Sequence, residues 1–176
     1  LLDAWMRRQH GLPFDEDGQF AASGQINAAL LERLLQEPYF ALSPPKSTGR
    51  DLFGEAWMDG LPLDGIPAAD VQATLSQLSA ISLAQSVLRD CSASGKPHSV
   101  WLCGGGARNR DLVRRIETAL PGIAVGPTDP LGVPGAWVEA MAFAWLARQT
   151  LLGEPGNLPR VTGAAGGRVL GAIYPA

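Results

Sequence analysis

The sequence has 176 residues, of which 46% are hydrophobic and 18% charged, and its formal net charge at pH 7 is −3. This composition is typical of one globular domain that can bury a core without a metal or a disulfide. The slightly acidic balance lacks the basic surface that nucleic-acid binding requires, so we expect no nucleic-acid partner.

The first half of the sequence predicts helices separated by turn-rich stretches. Residues 1–9 predict an amphipathic helix, but the chain starts without Met and no capping residue precedes Leu1, so we expect a piece of a longer chain. Residues 25–37 carry apolar side chains on one helical face, and Pro38 ends this predicted helix. Residues 68–90 predict the longest helix, central and well packed.

The second half alternates predicted strands and helices. We predict a strand at 98–103, a helix at 107–119, a strand at 122–126, a helix at 136–151 and a last strand at 168–173. This order indicates an α/β unit with a right-handed crossover. We expect the tryptophans to lie mainly in the core: Trp5, Trp57, Trp101, Trp137 and Trp145.

The strongest local signal is a glycine-rich turn between a predicted strand and a predicted helix. Gly104, Gly105 and Gly106 follow the strand directly, so a ligand could touch the backbone and the free N–H groups of the helix. A nucleotide is the natural ligand of such a turn, although a tight turn without a ligand remains the alternative. Asn109 stands where a dinucleotide-binding motif has its third glycine, which disfavours an NAD-dependent oxidoreductase.

A second signal is the segment PPKSTGRD, which mixes prolines, cations and hydroxyls. It is not a phosphate-binding P-loop, because Lys46 follows a proline where that motif requires glycine. Ser47 or Thr48 could cap a helix in a plain surface turn. Alternatively, Lys46 and Arg50 could contact an anion or brace the domain.

A third signal is Glu139, near the start of an otherwise apolar and aromatic helix. A glutamate there can simply interact favourably with the helix dipole, or it can bind sugar hydroxyls beside the glycine turn.

The residues supply no complete catalytic set and no metal site. Two cysteines, Cys91 and Cys103, are too few for a disulfide framework, and no apolar run approaches the roughly 18 residues of a membrane span. We therefore expect a cytoplasmic, nucleotide-binding α/β domain that does not associate with membranes.

Motifs in a fixed order together resemble a known family. They are PPKSTGRDLF, WLCGGGARN, VEAMAFAWLA, PGNLPRVTGA and RVLGAIYP, and they extend over essentially the whole chain. In this combination the chain resembles the C-terminal half of the anhydro-N-acetylmuramic acid kinases, which are sugar kinases of the actin-like ATPase superfamily.

The resemblance implies a fold and an activity. The fold would be an RNase H-like α/β lobe, with a mixed sheet flanked by helices, over residues 1–176. The activity would use ATP and Mg²⁺ to add water across the anhydro bond of 1,6-anhydro-N-acetylmuramic acid and to phosphorylate O6, giving N-acetylmuramic acid 6-phosphate in cell-wall recycling.

The resemblance also implies roles for single residues. Gly104, Gly105, Gly106 and Asn109 match the family's nucleotide-binding motif, and Glu139 matches a glutamate that binds the sugar. The segment from Lys46 to Arg50, which includes Ser47 and Thr48, matches a family signature without an assigned role. Gly135-Ala136 departs from relatives that carry an acidic residue there.

The family's other parts lie outside this sequence. Its N-terminal lobe and the aspartate that activates water would precede Leu1, so we expect no catalytic base in this chain and no turnover by the chain alone. The family also leads us to expect a homodimer. The alternative is a stand-alone actin-like nucleotide-binding module without catalysis.

Overall fold

The structure is a computed structural model, and it describes residues 1–49, 51–90, 95 and 97–174. The helices are α1 (Leu2–His10), α2 (Gln19–Ser23), α3 (Ala28–Leu35), α4 (Pro38–Ala41), α5 (Glu55–Asp59), α6 (Ala68–Asp90), α7 (Arg110–Ala119), α8 (Val138–Leu152) and α9 (Pro159–Thr162). The strands are β1 (Ser99–Leu102) and β2 (Ala124–Pro127). Short 3₁₀ turns lie at Glu16–Gly18, Gly105–Arg108 and Asp129–Leu131.

The helices of the first half follow the predicted pattern, except that the helix predicted at 25–37 is shorter and a further short helix follows it. The predictions for α1 and α6 are confirmed. The helix predicted at 25–37 is shorter, because α3 begins after Asn27, whose side-chain Oδ1 accepts a hydrogen bond of 2.9 Å from the backbone N–H of Leu30. Pro38 begins the next helix, α4, at a first-turn position where its missing N–H costs nothing.

The predicted α/β unit is confirmed, with α7 between two parallel strands. β1 pairs with β2 from Ser99 opposite Ala124 to Leu102 opposite Pro127. The described residues form this two-stranded parallel sheet and not the larger mixed sheet that we expected. The helix predicted from 107 starts later, at Arg110, because a 3₁₀ turn precedes it.

The last predicted strand, at 168–173, is wrong, since the described residues there form no strand. The backbone N–H of Arg168 donates to Asn157 Oδ1 at 2.6 Å, and its carbonyl accepts from the N–H of Gly156 at 2.9 Å. The carbonyl of Leu170 accepts from the hydroxyl of Thr150 on α8. Partners on α8 and in the loop after it therefore take backbone groups that a neighbouring strand would need.

The hydrophobic core lies on both sides of α6. One cluster joins α1, α3, α5 and α6 through Trp5, Leu30, Leu34, Met58, Val71, Leu75 and Leu78. A second cluster joins α6 to α7 and the approach to β2 through Ala80, Ala84, Ile116, Leu120 and Ile123. The prediction that α6 is the central helix is thus confirmed.

Helix α8 lies outside this core, against our expectation for its tryptophans. None of its described residues is buried, and Trp137 and Trp145 beside and on it are 64% and 49% exposed. Trp101 on β1 is also exposed, whereas Trp5 is buried as predicted. The physical reason is that the described elements pack around α6 and leave α8 uncovered.

Within the part of the chain that the structure describes, we find no helix with the length and apolarity to cross a membrane.

Polar side chains buried on α6 attach the neighbouring segments to it. Thr74 Oγ1 accepts the backbone N–H of Asn27 at 2.9 Å, next to the start of α3. Gln72 Nε2 donates to Asp15 Oδ2 at 3.3 Å. Because each buried polar group needs a partner, these bonds select one position for each segment on α6.

The third of these attachments is the buried carboxylate of Asp111, which joins α7 to α6. Ser76 Oγ on α6 donates to Asp111 Oδ2 at 3.0 Å, and Arg115 Nε donates to the same oxygen at 2.6 Å. Arg114 Nη2 binds the other oxygen at 2.7 Å. Burial by itself raises the pKa of Asp111, but the hydrogen bonds from Arg115, Arg114 and Ser76 and the charge of Arg115 outweigh it, so the pKa lies below its usual 3.8.

We predict that Asp111→Asn lowers the free energy of unfolding by about 3 kcal/mol at pH 7, because it leaves the largely buried Arg115 without its carboxylate. The lowered pKa means that the carboxylate stabilises the fold above about pH 4 and loses this effect as the pH falls further. Urea unfolding at pH 7 and at pH 3 measures both effects, and the difference between the two proteins should shrink at pH 3.

The matched control is Glu117→Gln, an exposed change on the same helix, which should stay within about 0.5 kcal/mol of the parent protein. Equal effects of the two substitutions would contradict the structural role of Asp111.

Candidate functional site

The glycine turn lies where β1 ends. Gly104 has φ 77° and ψ −171°, a conformation that other residues rarely adopt, so a glycine is required at this point. Its N–H donates to the carbonyl of Gly135 at 3.1 Å, which ties the turn to the segment before α8. Gly105–Arg108 then forms a single 3₁₀ turn that leads into α7.

The backbone of this turn faces open space. A Cβ placed on Gly104 or Gly105 would meet no heavy atom within 4 Å, and one on Gly106 would meet only Leu112 Cδ2 at 3.6 Å. A ligand can therefore approach the backbone closely, as the sequence predicts for a nucleotide-binding turn.

The turn forms one wall of a cavity of about 850 Å³, a volume within the range of small-molecule sites. The lining comes from the glycine turn and the start of α7 on one side, and from the start of α1 and the stretch before α2 on the other. The lining residues that carry charge or an aromatic ring are Asp3, Phe14, Glu16, Asp17, Arg108 and Arg110, besides the buried Asp15.

Asn109, a predicted nucleotide ligand, has a structural role in this arrangement. Its Oδ1 accepts the N–H of Leu112 at 2.9 Å and so caps α7. Gly18 packs directly against it, because a Cβ on Gly18 would lie only 2.2 Å from Asn109 Oδ1. The side-chain oxygen of Asn109 is therefore engaged in the cap and in contact with the opposite wall.

Glu139 follows closely on the segment that is hydrogen-bonded to the glycine turn. It belongs to the first turn of α8 and is exposed. The segment before α8 is held by the bond from Gly104 to Gly135 and by the N–H of Gly135, which donates to Asp129 Oδ2 at 3.3 Å. Glu139 is not among the described residues that line the 850 Å³ cavity, so it borders a separate part of the surface.

The segment from Lys46 to Thr48 does not join this cavity. Lys46 Nζ donates to the carbonyls of Tyr39 and Phe40 at 3.0 and 3.3 Å and lies 4.6 Å from the centre of the Tyr39 ring. The ammonium thus stabilises the C-terminal end of α4, which favours the bracing role over the anion contact. Ser47 is exposed, and neither its hydroxyl nor that of Thr48 caps a helix among the described residues. Thr48 lines a smaller cavity of about 390 Å³ with Lys46, and Arg50 lies outside the described residues.

Several cavity residues escaped the sequence analysis. Phe14, Asp3 and Arg108 come from three separate segments, and no spacing along the chain connects them. The sequence offered one signal for Phe14, a phenylalanine within a turn-rich, acidic stretch. Among the described residues we find no group of three or more His, Cys, Asp or Glu side chains that could hold a metal ion.

Comparison with known proteins shows which family the chain resembles. The family model described as anhydro-N-acetylmuramic acid kinase matches residues 1–176. A protein of that name from Cupriavidus pinatubonensis is 54% identical over 99% of the chain, and one from Nitrosospira multiformis is 49% identical over the whole chain. A third, from Xanthomonas oryzae, is 51% identical. The chain covers 47%, 47% and 46% of these relatives, so it spans about half the length of the curated relatives it matches.

We predict that Gly105→Ala leaves the free energy of unfolding within about 0.5 kcal/mol, because the new Cβ meets nothing within 4 Å. The same Cβ would stand between a ligand and the backbone of the turn, so the affinity for ADP should fall about tenfold. Calorimetric titration with ADP and thermal unfolding measure the two effects.

Gly60→Ala is the control, since Gly60 follows α5 and a Cβ there would make ordinary contact at 3.5 Å with the carbonyl of Trp57. It should leave ADP affinity unchanged. An unchanged affinity in Gly105→Ala would show that the turn does not bind the nucleotide.

Proposed function

Because the chain belongs to the anhydro-N-acetylmuramic acid kinase family, we propose that it is the C-terminal, nucleotide-binding lobe of an ATP-dependent kinase acting on 1,6-anhydro-N-acetylmuramic acid. In this reaction water adds at C1, the bond from C1 to O6 breaks, and O6 takes the phosphoryl group of ATP. The products are N-acetylmuramic acid 6-phosphate and ADP. The observation that carries the proposal is the glycine turn, whose open backbone faces the 850 Å³ cavity.

The chain's own residues would bind the nucleotide through backbone contacts. Gly104, Gly105 and Gly106 allow phosphate oxygens to approach the chain, and the start of α7 offers a positive helix end nearby. Asn109 would act by fixing the start of that helix through its cap. Mg²⁺ would enter with the phosphates and stabilise the charge on the transferring phosphoryl group.

Glu139 would bind the sugar. Its carboxylate is exposed, the segment before its helix binds the glycine turn, and carboxylates accept strong hydrogen bonds from sugar hydroxyls. The bond from Gly104 to Gly135 would therefore couple the position of the nucleotide turn to the helix that carries Glu139.

We further propose that, in a protein as long as these relatives, the half outside this chain covers α8. Helix α8 has apolar side chains on all sides, with Phe143 64% and Leu151 74% exposed, and such helices are normally buried. The matched relatives are about twice as long as this chain, so their remaining half is large enough to cover it. The chain itself would form an RNase H-like lobe, and the remaining half of the relatives would form the N-terminal lobe.

The catalytic base and the opposing phosphate-binding loop would also lie in that other half. Phosphoryl transfer depends on positioning and charge stabilisation in a closed cleft. Loss of a general base alone costs about 10²- to 10⁴-fold in rate, so the chain by itself should turn over little or not at all.

A mass-spectrometric assay with ATP, Mg²⁺ and the anhydro sugar tests the proposal, run on this chain and on a polypeptide extended to the length of the relatives. We expect a product that gains both a phosphate and a water only with the longer polypeptide. Turnover by the chain alone would contradict the two-lobe proposal. Absence of turnover by both, with ADP still bound, would favour a nucleotide-binding module without catalysis. Sedimentation of both proteins would show whether a second copy covers α8 in a homodimer.

We predict that Glu139→Gln in the longer polypeptide raises the KM for the sugar about tenfold or more and leaves the KM for ATP nearly unchanged, because a charged hydrogen-bond acceptor is lost only at the sugar. Steady-state kinetics with each substrate varied measures this. Glu154→Gln, an exposed change just after α8, is the control and should alter neither constant. A larger effect on ATP than on the sugar would count against the assignment of Glu139.

A further inference from the structure

An exposed aromatic ring lines the cavity that the glycine turn also lines. Phe14 is 57% exposed, yet it borders the 850 Å³ space together with Gly105 and Gly106. Leu12, two residues earlier, is similarly exposed at 51% but is not among the described residues that line this space. The position of Phe14, and not mere surface apolarity, therefore distinguishes it.

Hydrogen bonds of the neighbouring Asp15 fix the stretch that carries Phe14. Asp15, the next residue, is buried, and its carboxylate accepts the backbone N–H groups of Phe20 and Ala21, both at 2.9 Å. The same carboxylate accepts from Gln72 on α6. The backbone that presents the ring is thus fixed before any ligand binds, which reduces the entropy lost on binding.

The same stretch is attached to the wall that carries the glycine turn. Asp17 pairs with Arg110 at 3.2 Å, and Gly18 packs against Asn109. These contacts cross from the turn at Glu16–Gly18 to the start of α7. Phe14 and the glycine turn consequently keep one relative position, and both line the same cavity.

A nucleotide has two chemically different ends that match these two walls. Its phosphates suit the open backbone of Gly105 and Gly106, and its flat base suits an aromatic ring. The guanidinium groups of Arg108 and Arg110 line the same space and can approach the face of a stacked base.

We propose that Phe14 forms the base-binding wall of the nucleotide site, where its ring stacks on the purine of ATP while the phosphates lie at the glycine turn. This inference rests on the proposed function and adds the residue that holds the base. Stacking depends little on the identity of the base, because every purine offers a flat face. Phe14 would therefore distinguish nucleotides from polyphosphates without a base, but it would not distinguish adenine from guanine.

Calorimetric titration with ADP, GDP and inorganic tripolyphosphate tests the inference, on the polypeptide extended to the length of the relatives. Phe14→Ala should weaken ADP and GDP about tenfold each and leave the affinity for tripolyphosphate unchanged, because only the base loses its contact. Phe14→Tyr should keep near-parental affinity for all three. Leu12→Ala is the matched control, and it should alter none of them.

Thermal unfolding of each variant should show unchanged midpoints, since the ring of Phe14 is mostly exposed. If the parent protein binds ADP and Phe14→Ala binds it equally well, the inference is wrong while the proposed function stands. Equal weakening of ADP and tripolyphosphate would also overturn it, because the ring would then act on the shape of the site. A parent protein that binds no ADP would overturn the proposed function together with the inference.

Discussion

The buried carboxylate of Asp111 fixes the position of the helix into which the glycine turn leads. Asp111 sits in the first turn of α7, and the bond that it accepts from Ser76 holds that helix against α6. Arg115, which binds the same carboxylate within α7, also donates to Gln77 Oε1 on α6 at 3.1 Å. The glycine turn leads directly into α7, so any shift of this helix would move the backbone that faces the cavity. The cost of leaving a buried arginine without its carboxylate keeps the arrangement in place, even though surface charge pairs usually contribute little.

The opposite wall of the cavity depends on the same helix. Gln72 on α6 binds Asp15, and Asp15 organises the backbone around the turn that presents Phe14. Ser76 and Gln72 are one turn apart on α6, so one stretch of helix positions both walls. The contact of Gly18 with Asn109 then joins the walls directly, which explains why a glycine is needed where a Cβ would meet the side chain of Asn109.

Helix α8 has the composition of a buried helix but lies exposed. Its side chains are those of a core helix, yet the described residues leave it exposed, because the core forms around α6 and α7. The exposed face is continuous with the C-terminal segment, where Leu170 binds Thr150 through its carbonyl. A second half of similar length to this chain, as in the relatives, would give these side chains the cover that their apolarity requires.

The sequence by itself determined the long central helix, the strand, glycine turn and helix around Gly104, and the family, because periodicity, glycine placement and motif order are local properties of the chain. Only the tertiary structure decided which groups meet. The stretch at 168–173 has strand-like residues, but the partners at Asn157 and Thr150 took its backbone groups. The sequence leaves the segment of Lys46 open between a capped surface turn and a loop that contacts an anion or braces the domain, and the structure places its ammonium on two carbonyls of α4. Phe14 and the glycine turn line one cavity although more than half the chain separates them, and this follows from how the helices pack on α6, which no local spacing encodes.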